Sequence, residues 1–152
     1  MKLKIKRMRE GAVIPKRATA ESAGLDLSAY LDRDVVINPG EIVKIPTGIA
    51  IGLEKETVGL VYPRSGLASK HGITLANCVG VIDSDYRGEI LVPVTNHSRV
   101  PSDRNFAVSP GDRIAQLVIS PVLLPGIEEA EELDETERGA GGFGSTGREK
   151  LS

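Results

Sequence analysis

A chain of 152 residues with a net charge of −2 fits one domain, and folding at this size hides roughly 70% of the unfolded chain's surface. Only five aromatic rings occur, Tyr30, Tyr62, Tyr86, Phe106 and Phe143, so the core must come from Ile, Val and Leu, which favours pleated strands. The single Cys78 excludes an internal disulfide, and one cysteine with two histidines is too few for a structural zinc site.

The charge is unevenly spread. Residues 1–127 carry 16 Lys and Arg against 13 Asp and Glu, and residues 128–152 carry 3 against 8. Nucleic-acid binding needs a concentrated basic face, which neither half supplies, so nucleic acid is not an expected partner. A local basic pocket for a small anion remains open.

Along the chain, Met1 to Arg7 alternates charged with apolar residues and holds no continuous apolar run. That pattern predicts neither a signal peptide nor a membrane span, hence a cytoplasmic chain with no membrane partner. Asn96-His97-Ser98 matches a glycosylation sequon, which without secretion is a chance match. Short period-two alternations follow, with turn residues between them: Ile42, Val43 and Ile45 after Pro39-Gly40; Ile49, Ile51 and Leu53; Val58, Leu60 and Tyr62; Ile90, Val92 and Val94; Ile114, Gln116 and Val118. No stretch sustains an apolar stripe at helical spacing. Only Ser65 to His71, between Pro63 and Gly72, predicts a helical turn or two. Many short strands punctuated by Gly and Pro predict an all-β jelly-roll-like barrel or sandwich with one very short helix.

The character changes at Gly126. Seven acids stand in the ten residues from Glu128 to Glu137 with no base among them, which predicts an extended linker held open by like charge. Residues 138–147 hold five glycines and cannot form a core of their own. The predicted organisation is a β-barrel domain over 1–127, an acidic linker over 128–137 and a mobile glycine-rich arm over 138–152. Composition alone makes the arm a disordered end. Phe143 nevertheless sits among glycines with nothing local to bury it, flanked by Arg138, Ser145 and Thr146. A ring beside phosphate-type donors and glycine amides suits a lid over a nucleotide. Gly142 to Glu149 approaches the spacing of a P-loop but fails on chemistry and context: Arg148 replaces the lysine, Glu149 replaces the metal-binding hydroxyl, and only three residues remain for the helix a P-loop requires.

Three other segments carry candidate chemistry. Pro63-Arg64-Ser65-Gly66-Leu67-Ala68 reads as an ordinary turn, or as a helix start whose amides and adjacent Arg64 face an anion. Gly80-Val81-Ile82-Asp83-Ser84-Asp85-Tyr86-Arg87-Gly88 reads as a hairpin, yet Asp83 directly follows apolar and small residues where a solvated turn carboxylate is less expected. Gly111-Asp112-Arg113-Ile114-Ala115-Gln116-Leu117 reads as a turn entering a strand.

Together with Ala23-Gly24-Leu25-Asp26-Leu27-Ser28-Ala29 and the glycine-rich arm, these segments resemble the five motifs of the trimeric dUTP pyrophosphatase family, in order, across residues 23–147. The resemblance implies a jelly roll that assembles as a homotrimer, with each active site drawn from three chains. It implies Asp83 as the general base that activates water for in-line attack on the α-phosphorus of dUTP, releasing dUMP and pyrophosphate. By the same resemblance Arg64, Ser65, Gly66 and Gln116 contact phosphate, and Mg²⁺ bridges the triphosphate with Asp26 holding its waters. Asn77 and backbone groups near Gly80 and Ile82 would read uracil, and Tyr86 would pack where a ribose 2′-hydroxyl would sit. Arg138, Phe143, Gly144, Ser145 and Thr146 would close from another subunit, Phe143 stacking on uracil. Two other functions compete: a dCTP-deaminase-like nucleotide enzyme, against which Gly66 and the Phe143 segment count, and a non-catalytic nucleotide-binding β-trimer, against which intact Asp83, Arg64, Gln116 and Arg138 count.

Overall fold

Ile, Val and Leu at alternate positions, cut every few residues by Gly, Pro and Asn, leave the chain little choice but short strands. The computed structural model describes residues 2–98 and 104–142. Among these run β1 (Lys4–Arg7), β2 (Leu25–Ser28), β3 (Val35–Ile37), β4 (Ile42–Pro46), β5 (Ile49–Gly52) and β6 (Thr57–Pro63). Then come α1 (Ser65–His71), β7 (Ile73–Leu75), β8 (Gly80–Ile82), β9 (Leu91–Asn96), β10 (Phe106–Val108) and β11 (Arg113–Pro121).

The strands pair antiparallel in four small sheets: β2-β11-β6-β8, β4-β9-β7, β1-β5 and β10-β3. Most neighbours are distant in sequence, as jelly-roll connections require. Inward residues of the two larger sheets, Leu27, Val61 and Leu117 from one and Ile45, Val92 and Val94 from the other, meet in a single aliphatic core. Each such side chain contributes about 1.5–3 kcal/mol by leaving water. Helix α1 ends where the sequence predicts: Gly72 takes φ 65°, and its N–H bonds back to the Ala68 and Leu67 carbonyls.

One expectation needs correction, and β6 adds a phase that alternation alone leaves open. Val58, Leu60 and Tyr62 do alternate on β6, but they are only half-buried, whereas Gly59 and Val61 face the core. A Cβ on Gly59 would meet Ile51, Ile82 and Leu117 at 3.3 Å, so a larger residue there would require these core side chains to shift by a few tenths of an ångström. The displaced apolar row lies on the outer face, where Leu60 stands opposite Val118 and Val81, and Val81 is 65% exposed. Nor do the strands flanking Asp83 form a hairpin. Strand β8 pairs with β6, while β9 pairs with β4 and β7, so residues 83–90 cross from one sheet to another.

Beyond β11 no strand or helix forms among the described residues. Leu123, Leu124, Ile127 and Leu133 stand exposed along the segment that follows β11. Arg138 is exposed and donates from Nε to its neighbour Gly141 O at 2.7 Å. Phe143, Gly144, Ser145 and Thr146 lie outside the described residues.

Candidate active site

Strand β11 carries the first group of site residues. Gln116 stands opposite Asp26 of β2 on one side and Tyr62 of β6 on the other. The β11–β2 register matches Arg113 with Ser28 and Gln116 with Asp26, three residues against two, so a bulge occupies the step between Arg113 and Ala115. Side chains alternate faces along a strand, and Ser28 and Asp26 therefore share one. The extra residue turns Arg113 onto that same face.

The result is an interlocked cluster. Asp26 Oδ1 accepts Arg64 Nε at 3.0 Å, and Asp26 Oδ2 accepts Arg113 NH1 at 2.9 Å. Arg64 also donates from NH1 to the Arg113 carbonyl at 3.2 Å, which fixes its guanidinium plane. Gln116 Nε2 donates to Pro63 O at 2.9 Å. Gly24 makes room for that amide, since a Cβ there would meet Gln116 Oε1 at 2.5 Å. These residues line a pocket of about 380 Å³ together with Ser65 and Gly66. The first hydrogen bond of α1 runs from Ala68 N to Arg64 O, which leaves the Ser65, Gly66 and Leu67 amides without an intrahelical acceptor. A Cβ on Gly66 would meet nothing within 4 Å. The chain itself therefore does not demand glycine there, although a closely approaching ligand would.

The second group collects on the other side of β6. Asn77, Gly80, Ile82, Asp83 and Tyr86 line a pocket of about 240 Å³ whose walls include Val61. Asn77 sits in the turn between β7 and β8, closed by a Cys78 N–H to Leu75 O bond of 3.1 Å. A Cβ on Gly80 would press Val61 at 3.2 Å and Asn77 Nδ2 at 3.4 Å, so the missing side chain keeps this wall open. Asp83 is exposed at the end of β8, and its carbonyl accepts the Tyr86 N–H at 3.1 Å. Tyr86 closes the loop by donating its hydroxyl to Glu89 O at 3.1 Å.

One chain thus holds a pocket bordered by the Arg64 and Arg113 guanidinium groups and, separately, a mixed polar and apolar pocket that ends in the Asp83 carboxylate. Among the described residues, neither of these two pockets contains both groups. Two positions carry this geometry without having been assigned a role from sequence, Gly24 and Arg113. Both lie inside quoted motifs, but Gly24 acts by the absence of a side chain, and Arg113 reaches the site only through the bulge.

These features define a small all-β domain with one pocket bordered by two guanidinium groups and another that ends in a carboxylate. A dUTPase family model matches residues 10–147. The chain is 58% identical over 135 residues to a deoxyuridine 5′-triphosphate nucleotidohydrolase of Desulfitobacterium hafniense strain DSM 10664 / DCB-2, covering 88% of this chain and 87% of that one. It is 50% identical over 145 residues to the enzyme of the same name from Syntrophotalea carbinolica, covering 95% and 96%. Among solved structures it is similar to the Staphylococcus bacteriophage 80alpha dUTPase with dUPNHPP, at a TM-score of 0.85 and 29% identity over 96% of this chain and 98% of that one. A mutant dUTPase from phage phi11 of S. aureus, described for its coordination of a structural Mg(II) ion, is similar at a TM-score of 0.79 and 26% identity, covering 89% and 100%. The chain belongs to the dUTPase family.

Proposed function

We propose that this chain hydrolyses dUTP to dUMP and pyrophosphate with Asp83 as the general base, in active sites assembled from three copies of the chain. The enzymatic class, dUTP diphosphatase, follows from the family. One observation carries the assembly: the arginine-ringed pocket and the Asp83 pocket are both built, yet they open separately within one chain. A partner's Asp83 loop set against the Arg64 pocket would complete a site that one chain leaves in halves. The outer apolar row at Leu60, Val81 and Val118 and the exposed Leu123, Leu124 and Leu133 after β11 supply surface for such contacts.

Asp83 is suited to its task by exposure and by chemistry. An ionised carboxylate only accepts hydrogen bonds, so it orients a water and takes its proton as the oxygen attacks the α-phosphorus in line. The bond from that phosphorus to the β-bridging oxygen breaks, and pyrophosphate leaves with the electron pair. Arg64, Ser65 and Gln116 hold phosphate oxygens and stabilise the charge that grows on them. Asn77, with backbone groups at Gly80 and Ile82, reads the pyrimidine edge, and Tyr86 excludes the ribose 2′-hydroxyl.

The donor set also fits Mg²⁺ bound mostly by phosphate and water. No three Asp, Glu, His or Cys side chains converge into a cage among the described residues. Each oxygen of Asp26 accepts one guanidinium and keeps lone-pair capacity for a water. Mg²⁺ rarely sheds all its waters and usually takes one or two carboxylates plus substrate phosphates. When bound, it neutralises charge on the triphosphate. The chain divides into a catalytic body over 1–127, an acidic linker over 128–137 and a lid over 138–152 that closes on the nucleotide with Arg138, Phe143, Gly144, Ser145 and Thr146.

Incubation with dUTP and Mg²⁺, followed for pyrophosphate, tests the reaction. Release of ammonia from dCTP instead, or binding of dUTP without turnover, would overturn it. Light scattering is expected to show a trimer. A stable monomer that still turns over dUTP would remove the shared site.

A further inference from the structure

We propose that Glu89 is a positioning residue for sugar selection, acting on Tyr86 through the loop that joins the two sheets. The inference rests on the assignment of Tyr86 as the residue that excludes ribose. Residues 83–90 leave the β8 sheet and enter the β9 sheet, so nothing within a single ladder sets the position of Tyr86. Its phenol lies over Gly88, where a Cβ would overlap the ring, and its hydroxyl donates to Glu89 O. Tyr86 is therefore placed by whatever places Glu89.

The Glu89 side chain, 17% exposed, lines the same pocket as Asp83 and Tyr86. Its Oε1 accepts the Gly48 N–H at 2.8 Å. Next to it, Ile90 N donates to Ile49 O at 2.9 Å, and the buried Thr47 donates from Oγ1 to Ile90 O at 2.8 Å. Gly48 is itself immobilised. It takes φ +70°, and a Cβ there would overlap Ala12 and press the Tyr30 ring at 3.1 Å. Glu89 thus ties the sugar-facing loop to a fixed point of the β4–β5 turn. Its second partner, Arg9 at 3.4 Å, is half-exposed and adds little, because solvent screens such pairs. The hydrogen bond to Gly48, rather than the charge, is the working contact.

The test compares kcat/KM for dUTP and UTP in the full-length chain and its variants. Glu89→Ala is expected to lower the dUTP-to-UTP preference roughly tenfold, chiefly through KM for dUTP, a fraction of the ~10²-fold that a displacement of about 1 Å can cost. Glu89→Gln, whose amide oxygen still accepts from Gly48, keeps most of the preference. Glu89→Asp retains the charge but falls one methylene short and loses it, which keeps the question answerable should the alanine variant fail to fold. Tyr86→Ala serves as the reference. If it lowers the preference and the alanine and aspartate variants at Glu89 do not, the positioning role is wrong. Equal losses in the glutamine and alanine variants would also overturn it, because the hydrogen bond would not be the carrier. If Tyr86→Ala leaves the preference unchanged, the Tyr86 assignment itself fails and the inference falls with it.

Discussion

The two pockets achieve order by opposite means. Around Asp26 the functional side chains hold one another: two guanidinium groups share one carboxylate, and an amide is seated over a glycine. Around Asp83 the backbone is held and the working side chain is left exposed. A phosphate-binding group profits from being fixed before the ligand arrives, since less ordering remains to oppose binding. A base that must engage a water gains more from unspent hydrogen-bonding capacity. The two regions should therefore fail differently when mutated, and the expected failures can be ranked.

The largest effect belongs to the free carboxylate. Asp83→Asn should bind a non-hydrolysable dUTP analogue with Mg²⁺ almost normally while turning over at least ~10²-fold more slowly. Near-normal turnover would place the base elsewhere. Next comes removal of 138–152. Every buried apolar residue among those described lies at or before Leu117, so the truncated chain should melt as the full one does and still assemble, yet lose about tenfold or more in kcat/KM if the arm orders the nucleotide. Full turnover by the truncated protein would make the arm dispensable. Replacing Phe143 with tryptophan gives a third measurement, since the chain has no other tryptophan. Its emission should change strongly with the triphosphate analogue and Mg²⁺, and less with dUMP.

The smallest expected effect probes the interlocked pocket without touching a charge. Gly24→Ala should drive the Gln116 amide off Pro63 O and lower kcat/KM by about 3–10-fold, the scale of one hydrogen bond of ~1 kcal/mol. Thermal melting should change little. A variant with unaltered kinetics would mean that Gln116 tolerates other positions, and the contrast between the regions would weaken.

Much of this was legible in the sequence, for identifiable reasons. Ile, Val and Leu alternation located β4, β5 and β9 because each turns alternating apolar residues to the core, and it located β6 and β11 although part of the apolar row read there lies on the outer face. Pro63 and Gly72 bracketed α1 because one favours extended backbone before the helix and the other supplies the left-handed residue that ends it. Arg64, Ser65, Gly66 and Gln116 fall together with Asp26, and Asn77, Gly80, Ile82 and Tyr86 fall together with Asp83. What was not legible depends on neighbours distant in the chain. The inward phase of β6 is set by a glycine whose space Ile51, Ile82 and Leu117 occupy. Strand β1 has a single half-buried residue and so leaves little apolar trace. The role of Arg113 requires knowing that β11 slips by one residue against β2.

That slip has a consequence for anyone who would move this site to another protein. The spacing from Arg113 to Gln116 is an odd number of residues, and on a regular strand it would send the two side chains to opposite sides of the sheet. Their cooperation is written in the pairing rather than in the residue string. A graft that copied Arg113 to Gln116 onto an unbulged strand would carry every letter of the motif and present only half of it. Conversely, deleting the one extra residue between them would leave an even spacing, which an unbulged strand presents on a single face, so a graft shortened in this way should keep both side chains together.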